Sequence, residues 1–202
     1  MIVVLADKIL LNLGSGPPGA SQAPAMFAPW RQVRVDVDPA AAPDIVADVT
    51  NLSPVASGAV DAVWTAHCIE HLYEHDVPVA LAEIRRVLKD DGFACIIVPD
   101  LQRIAAYIAE DKMHEPLYTA PAGPVTPHDI VFGFGPAIAR GQLAMAHRCG
   151  FTPTSMTRHL AAAGFGGYAL LRRADFELAA VVRKQDWPGV EERDRLLMNL
   201  GL

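Results

Sequence analysis

The sequence predicts an α/β protein built on a mainly parallel, seven-stranded sheet with helices on both faces and an antiparallel hairpin at the C-terminal end. Three observations carry this. Short apolar runs alternate with stretches of helical spacing; a glycine-rich turn follows the first run directly; and the last two runs are separated by only a few residues.

Taken in order, Ile9–Leu13 is an apolar run that stops at Gly14, and Gln32–Val37 alternates apolar and polar residues before Asp38-Pro39. Residues 44–49 and 59–66 read as strands three and four, and Gly92–Pro99 as strand five, through its run Phe-Ala-Cys-Ile-Ile-Val. Between the last two, Val77, Ala80, Leu81, Ile84, Val87 and Leu88 fall at helical spacing, and Asp90-Asp91-Gly92 closes that helix with a glycine suited to a left-handed cap. Thr152-Pro153 supplies a hydroxyl cap and a first-turn proline for the last substantial helix, which carries Met156 and Leu160 and ends at Gly164. Strands near 168–172 and 176–183 form the closing hairpin. Residues 112–150 depart from the pattern: they are rich in Pro and Gly and carry His114, Tyr118, His128, Phe132, Phe134 and His147. The reading is one domain over 1–202, with 112–150 a substrate-side insertion or lid.

The chain has 202 residues, enough for one full core, and 51% of them are hydrophobic against 20% charged, which excludes a disordered chain. Seventeen basic against 23 acidic residues give a net charge of -6, and no Lys/Arg stripe is present, so nucleic acid is not the expected partner. Cys68, Cys95 and Cys149 form no C-x-x-C pair, which argues against a disulfide framework and fits a reducing, cytoplasmic setting. The apolar start is interrupted at Asp7 and Lys8, unlike a secretory leader. No apolar run reaches the roughly 18 residues of a membrane span. The sequence leaves a homodimer open.

In an open parallel sheet, ligands bind outside the carboxyl ends of the strands. There, Asn12-Leu13-Gly14-Ser15-Gly16-Pro17-Pro18-Gly19 follows the first strand, its glycines allowing a tight turn and close approach to a ligand. Asp36 ends strand two, placed to accept from ribose hydroxyls, and Asp48 ends strand three, within reach of an adenine edge. The ordered triple outlines an adenosine pocket. Gly14, Gly16 and Gly19 also satisfy the G-x-G-x-x-G text of a dinucleotide site. However, none of Tyr73, Tyr107, Tyr118 and Tyr168 has the Lys four residues on that a short-chain dehydrogenase uses for proton transfer.

These segments resemble the class I, S-adenosylmethionine-dependent methyltransferases of Rossmann-like fold, in particular the type 11 group. Residues 12–16 look like the first motif, 35–39 like the acidic second, 47–49 like the third, and 60–63 through Glu70-His71-Leu72 like the fourth-strand block. The longest match is Glu83-Ile84-Arg85-Arg86-Val87-Leu88-Lys89-Asp90-Asp91-Gly92. Met145-Ala146-His147 through Gly150-Phe151-Thr152 is similar to a smaller subgroup. The resemblance implies a cofactor site of Asn12, Gly14, Ser15, Gly16, Asp36, Val37, Asp48, Val49, Ala66 and His67. It would take S-adenosylmethionine, leaving S-adenosylhomocysteine as product. Two departures stand out: Asn12 replaces the usual acidic residue, and Pro17-Pro18 removes two backbone donors.

His67-Cys68-Ile69-Glu70-His71 also spells H-x-x-E-H, and on a helix His67 and His71 would share a face. No third ligand stands out downstream, so no metal is expected, and His71 reads as a helix-start residue bonded within the fold. Cys68 and Cys95 read as small core residues, and Trp30 and Trp64 as packing residues. The expected reaction is in-line methyl transfer to an oxygen or nitrogen of a small-molecule acceptor, with His67, Asp100, His128 or His147 available to take a proton. A binding protein without catalysis and, third, a nicotinamide-dependent oxidoreductase are the other readings.

Overall fold

A computed structural model describes residues 8–20, 23–120 and 122–202; the apolar start through Asp7 lies outside the described residues. The strands are β1 (Ile9–Leu13), β2 (Arg31–Asp36), β3 (Ile45–Val46), β4 (Val60–Ala66), β5 (Leu88–Pro99), β6 (Tyr118–Ala120), β7 (Gly123–Val125), β8 (Gly167–Arg172) and β9 (Glu177–Arg183). The helices are α1 (Val77–Val87), α2 (Leu101–Ala109), α3 (Pro127–Phe132), α4 (Gly135–Ala139), α5 (Pro153–Ala162) and α6 (Val190–Leu200). The main sheet has the order β3-β2-β1-β4-β5-β9-β8. Its first five strands run parallel, β9 pairs antiparallel with β5 and with β8, and β6 and β7 form a separate small hairpin.

Side chains alternate strictly across the sheet, and each face buries its own core. Leu11, Leu13, Val63, Ile96, Val98, Ala180 and Val182 point to one face, covered by Leu81, Ile84 and Val87 of α1 and Met156 and Leu160 of α5. Leu10, Trp64, Cys95, Ile97 and Val181 point to the other, where Phe27, Trp30 and Leu200 of α6 cover them. Trp30 and Trp64 therefore pack, as the sequence suggests; Phe27 meets Trp30 edge-on at 5.1 Å.

The sequence reading needs four corrections. The third strand is two residues long: Asp44 turns its carboxylate to the Arg34 amide, and Asp48 caps Thr50, so side chains take the place of ladder bonds at both ends. Gly92 is no left-handed cap. Leu88 is already extended (φ -66°, ψ 140°), and the helix runs straight into β5. Val60 pairs with Leu88 and Ala62 with Phe93, so residues 89–92 bulge from the ladder; a Cβ on Gly92 would stand 3.0 Å from the Asp61 carbonyl. The helix after Thr152 is not the last, because α6 follows it, and α2 lies just after β5 where the sequence reading marked no helix. The stretch 112–150, read as an insertion or lid, holds β6, β7, α3 and α4, with α3 started by a reciprocal Thr126/Asp129 capping box. Among the described residues no helix is long and apolar enough to cross a membrane.

The long signature over residues 83–92 does structural work. Glu83 Oε2 accepts the Leu52 amide at 2.7 Å, and Arg86 donates to Glu83, to the Leu52 and Val55 carbonyls and to Ser57. One turn of α1 thus holds the connection between β3 and β4 against the core, with Leu52 and Val55 buried beneath it. Arg86→Ala is expected to destabilise the fold by about 2 kcal/mol in urea unfolding, since it strands two carbonyls and a carboxylate. The Arg86 guanidinium, helped by the Leu52 amide, outweighs partial burial and holds the Glu83 carboxyl below its ordinary value of 4.5. A lowered folded value stabilises above the unfolded one. The stability advantage of the native protein over Glu83→Gln should therefore be full above about pH 4.5 and disappear as pH falls through the lowered folded value. An advantage that grew on acidification would contradict this clamp.

Candidate functional site

Because five parallel strands end on the same edge of the sheet, their following residues converge there. Gly14 and Gly16 adopt φ of +63° and +59°, and a Cβ on Gly14 would lie 2.7 Å from both Cβ and Sγ of Cys68. The β1 turn is thus locked against the segment that follows β4. The Ser15 amide donates to the Val35 carbonyl at 3.2 Å, and Gly16 N–H donates to Asp36 Oδ2 at 2.7 Å. Arg34 reinforces the turn by donating to the Gly16 carbonyl. Asp36 Oδ1 also accepts the Asp38 amide at 2.9 Å, so the carboxylate is oriented by two backbone donors and keeps unused lone pairs. Val37 beside it is exposed, Asp48 is exposed, Val49 is buried and Asn12 is buried at the end of β1. Asn12 and Ser15 also line a cavity of about 370 Å³ with Phe27, Trp30 and Arg34.

After Ala66 the chain turns sharply at His67, which takes φ +53°. The residues beyond it, Ile69–His71, make a 3₁₀ turn rather than an α-helix, so His67 and His71 do not share a helix face. His67 Nδ1 lies 3.2 Å from Glu70 Oε1, and Nε2 lies 2.7 Å from Glu177 Oε1 on β9. Burial disfavours charge on the ring, but the bonds to Glu177 and Glu70 outweigh it and raise its pKa to about 10. His67 is therefore an imidazolium at neutral pH. Glu70 is fully buried. Burial pushes the Cys68 thiol up to about 12, a packing group rather than a nucleophile.

The four proton acceptors named from sequence stand in different surroundings. Asp100, fully buried, caps α2 by accepting from Gln102 and Arg103 amides, and its Oδ2 lies 2.9 Å from Arg172 Nε. His128 lies on α3 in a ring cluster, 5.2 Å from His114 and 5.0 Å from Phe132. His147 packs 4.8 Å from His71, and its Nδ1 faces the Ile130 carbonyl at 2.7 Å. Burial lowers its pKa, so it is neutral where His67 is charged. The segment 146–149 lies along the 3₁₀ turn: Arg148 and Cys149 amides both donate to the Glu70 carbonyl. The structure thus joins His67 to Glu70 and Glu177, and His147 to His71 and Glu70. It keeps Asp100 with Arg172 instead. Sequence reasoning missed Glu70, although it stands inside the H-x-x-E-H text, because only the histidines were weighed. Glu177 lies 110 residues from His67 and carries no local signal.

Residues 11–96 match the family described as a methyltransferase domain. No curated protein sequence is significantly similar to the chain. Among solved structures, a S-adenosylmethionine-dependent methyltransferase from Methanosarcina mazei superposes with a TM-score of 0.58 at 14% identity, over 90% of this chain and 94% of its own. The 1,6-didemethyltoxoflavin-N1-methyltransferase of Burkholderia thailandensis, solved with its substrate and S-adenosylhomocysteine, gives 0.53 at 19% identity, over 89% and 72%. The methyltransferase domain of the citrinin polyketide synthase gives 0.55 at 10% identity; this chain spans 47% of that protein's length. The fold is the Rossmann-like class I methyltransferase fold that the residues suggest.

His147 depends on Gly133. That glycine has φ +96°, and a Cβ there would fall 2.0 Å from the Met145 carbonyl oxygen. Gly133→Ala should cost about 2–3 kcal/mol, combining left-handed strain with a backbone overlap that cannot relax locally. A thermal unfolding temperature equal to the native one would show that residues 133 and 145–147 are not packed as described.

Proposed function

We propose that this chain is an enzyme that uses S-adenosylmethionine to methylate an oxygen or nitrogen of a small molecule. The observation that carries the proposal is the Gly14–Gly16 turn bonded to a doubly oriented Asp36 at the carboxyl edge, in a segment that matches a methyltransferase domain.

The residues fit such a cofactor. Gly14 and Gly16 hold the left-handed backbone that brings the first turn against a ligand, and Asp36 offers free lone pairs to a pair of vicinal hydroxyls. Exposed Val37, Asp48 and buried Val49 supply the apolar and polar walls for an adenine, with Ala66 and His67 following on β4. When bound, S-adenosylmethionine supplies a methyl group on a sulfonium, a strong electrophile. The chain's part is alignment of the acceptor and exclusion of water. His67, already protonated, serves as a hydrogen-bond donor and not as a base. Asp100 is committed to the α2 cap and to Arg172. His147 keeps a neutral ring with Nε2 open, on the segment that we place on the acceptor side as a lid over residues 112–150. Three unpaired cysteines suit a reducing cytoplasm.

Asn12, buried where the family carries an acid, favours a second reading: a protein that binds the cofactor without turning it over. Isothermal titration with S-adenosylhomocysteine and NAD tests the pocket. The expected result is binding of the former alone, weakened at least tenfold in Asp36→Ala. Binding of NAD instead would overturn the proposal. Turnover with a panel of hydroxyl and amine acceptors, followed by product S-adenosylhomocysteine, separates catalysis from mere binding.

A further inference from the structure

We infer that Glu70, His71 and His147 form a binding site for a divalent transition-metal ion, with zinc the best match. One carboxylate oxygen of Glu70 and one nitrogen of each histidine ring lie within 4.8 Å of one another. Two imidazoles and a carboxylate are a donor set suited to first-row divalent metals.

The hydrogen bonding of the two histidines is already that of metal ligands. His71 Nδ1 is 3.1 Å from the Ala146 carbonyl, and His147 Nδ1 is 2.7 Å from the Ile130 carbonyl. A carbonyl can only accept, so each Nδ1 carries a proton, which leaves Nε2 of both rings as the atom available to a metal. Metal-binding histidines are usually oriented this way, by a backbone acceptor on the far nitrogen. The second, independent sign is Glu70. The residue is fully buried, Oε1 meets His67, and Oε2 is buried with no hydrogen-bond partner. A carboxylate oxygen stranded in the interior costs free energy unless something completes it. A cation held jointly with the two histidine rings does so.

Zinc bonds of about 2.0–2.1 Å in tetrahedral array place ligand atoms roughly 3.3 Å apart, so binding draws the three groups inward by about 1 Å or somewhat more. Three protein ligands leave a position for water or for an oxygen or nitrogen of a bound small molecule. The site does not involve the partners that the H-x-x-E-H text suggests. His67 is held away by Glu177, and the third ligand comes from a residue 76 positions beyond His71, on the 112–150 segment.

The test is titration of the metal-stripped protein with zinc chloride, followed by calorimetry, and with cobalt chloride, followed by visible absorption. One zinc per chain is expected, and a cobalt absorption band of nitrogen and oxygen ligation. His147→Asn and Glu70→Gln should each weaken zinc binding at least tenfold and abolish the band, while His75→Ala, at an exposed position, should change neither. Circular dichroism establishes that each variant is folded; if Glu70→Gln is not, His147→Asn decides alone. No zinc binding, or binding unchanged in folded His147→Asn, overturns the inference. It does not rest on methyl transfer: S-adenosylhomocysteine titrated into the same preparations reads the cofactor pocket separately.

Discussion

The carboxylate of Glu70, completely buried at the turn after the fourth strand, is the constraint around which the edge of this sheet is arranged. A charge removed from water must be met by partners whose positions are then no longer free. One oxygen takes the His67 ring, which in turn reaches Glu177, so β4 and β9 are joined across β5 by a chain of charge-assisted contacts. The backbone of the same residue accepts the Arg148 and Cys149 amides and so fixes where the returning chain lies. Side chain and main chain of one buried acid thus set the floor of the site and the path of its far wall. His67 accepts a left-handed backbone to make the connection, a strain of roughly 1–2 kcal/mol for a residue with a Cβ. Strain of this kind persists where the surroundings overdetermine it.

That local arrangement works only because the sheet delivers its strand ends to one edge in register. The pairing of β1 with both β2 and β4 puts Leu13 beside Val35 and Thr65, so the turns that follow these strands emerge side by side. Gly14 then approaches Cys68 so closely that no side chain fits, and Gly16 hands its amide to Asp36. The Glu83–Arg86 clamp acts at one remove, holding residues 52–57 to α1 and so fixing the connection that leads from Asp48 into β4. The stretch 83–92 is therefore scaffolding, and the residues proposed to hold the cofactor are scattered glycines and acids.

How much of this was legible follows from the range of the forces involved. Strand β1 and helices α1 and α5 were readable to within a residue or two, because an apolar period and a cap are local signals, and both act here as they would in isolation. Gly92 misled because a glycine after a helix has two uses. The choice between a left-handed cap and a bulge was settled by Asp61, on a neighbouring strand. The third strand was overestimated for a related reason: Asp44 and Asp48 carry side chains that replace ladder bonds, which composition alone does not reveal. The helix α6 begins at Val190 after an exposed, polar stretch and buries only a narrow stripe, so its periodicity was weak. Asp36 and the glycine turn stood out because they follow strands directly. Glu177, by contrast, acquires its role only through antiparallel pairing late in the chain, and Glu70 through burial, neither of which has a short-range signature.

The same comparison bears on why an acid should be buried here at all. Replacing a buried ionic pair by apolar groups of similar shape is often neutral or stabilising, so the Glu70–His67 contact is not explained by stability. It leaves Oε2 unmatched, which a fold selected only for stability would have avoided. Two histidines with their far nitrogens held by carbonyls stand beside it, contributed by segments that meet only in the finished fold. A buried acid with one oxygen committed to His67 and the other without a partner, beside two imidazoles whose Nδ1 atoms are already occupied, is an arrangement that a bound cation would complete. The charge-paired side orients the residue through β9, and His147 of the 112–150 segment stands within 4.8 Å of the carboxylate. On that argument the cost of burying Glu70 is offset by the proposed cation, and the segment that departs most from the regular β-α pattern supplies that proposed site's third ligand, His147.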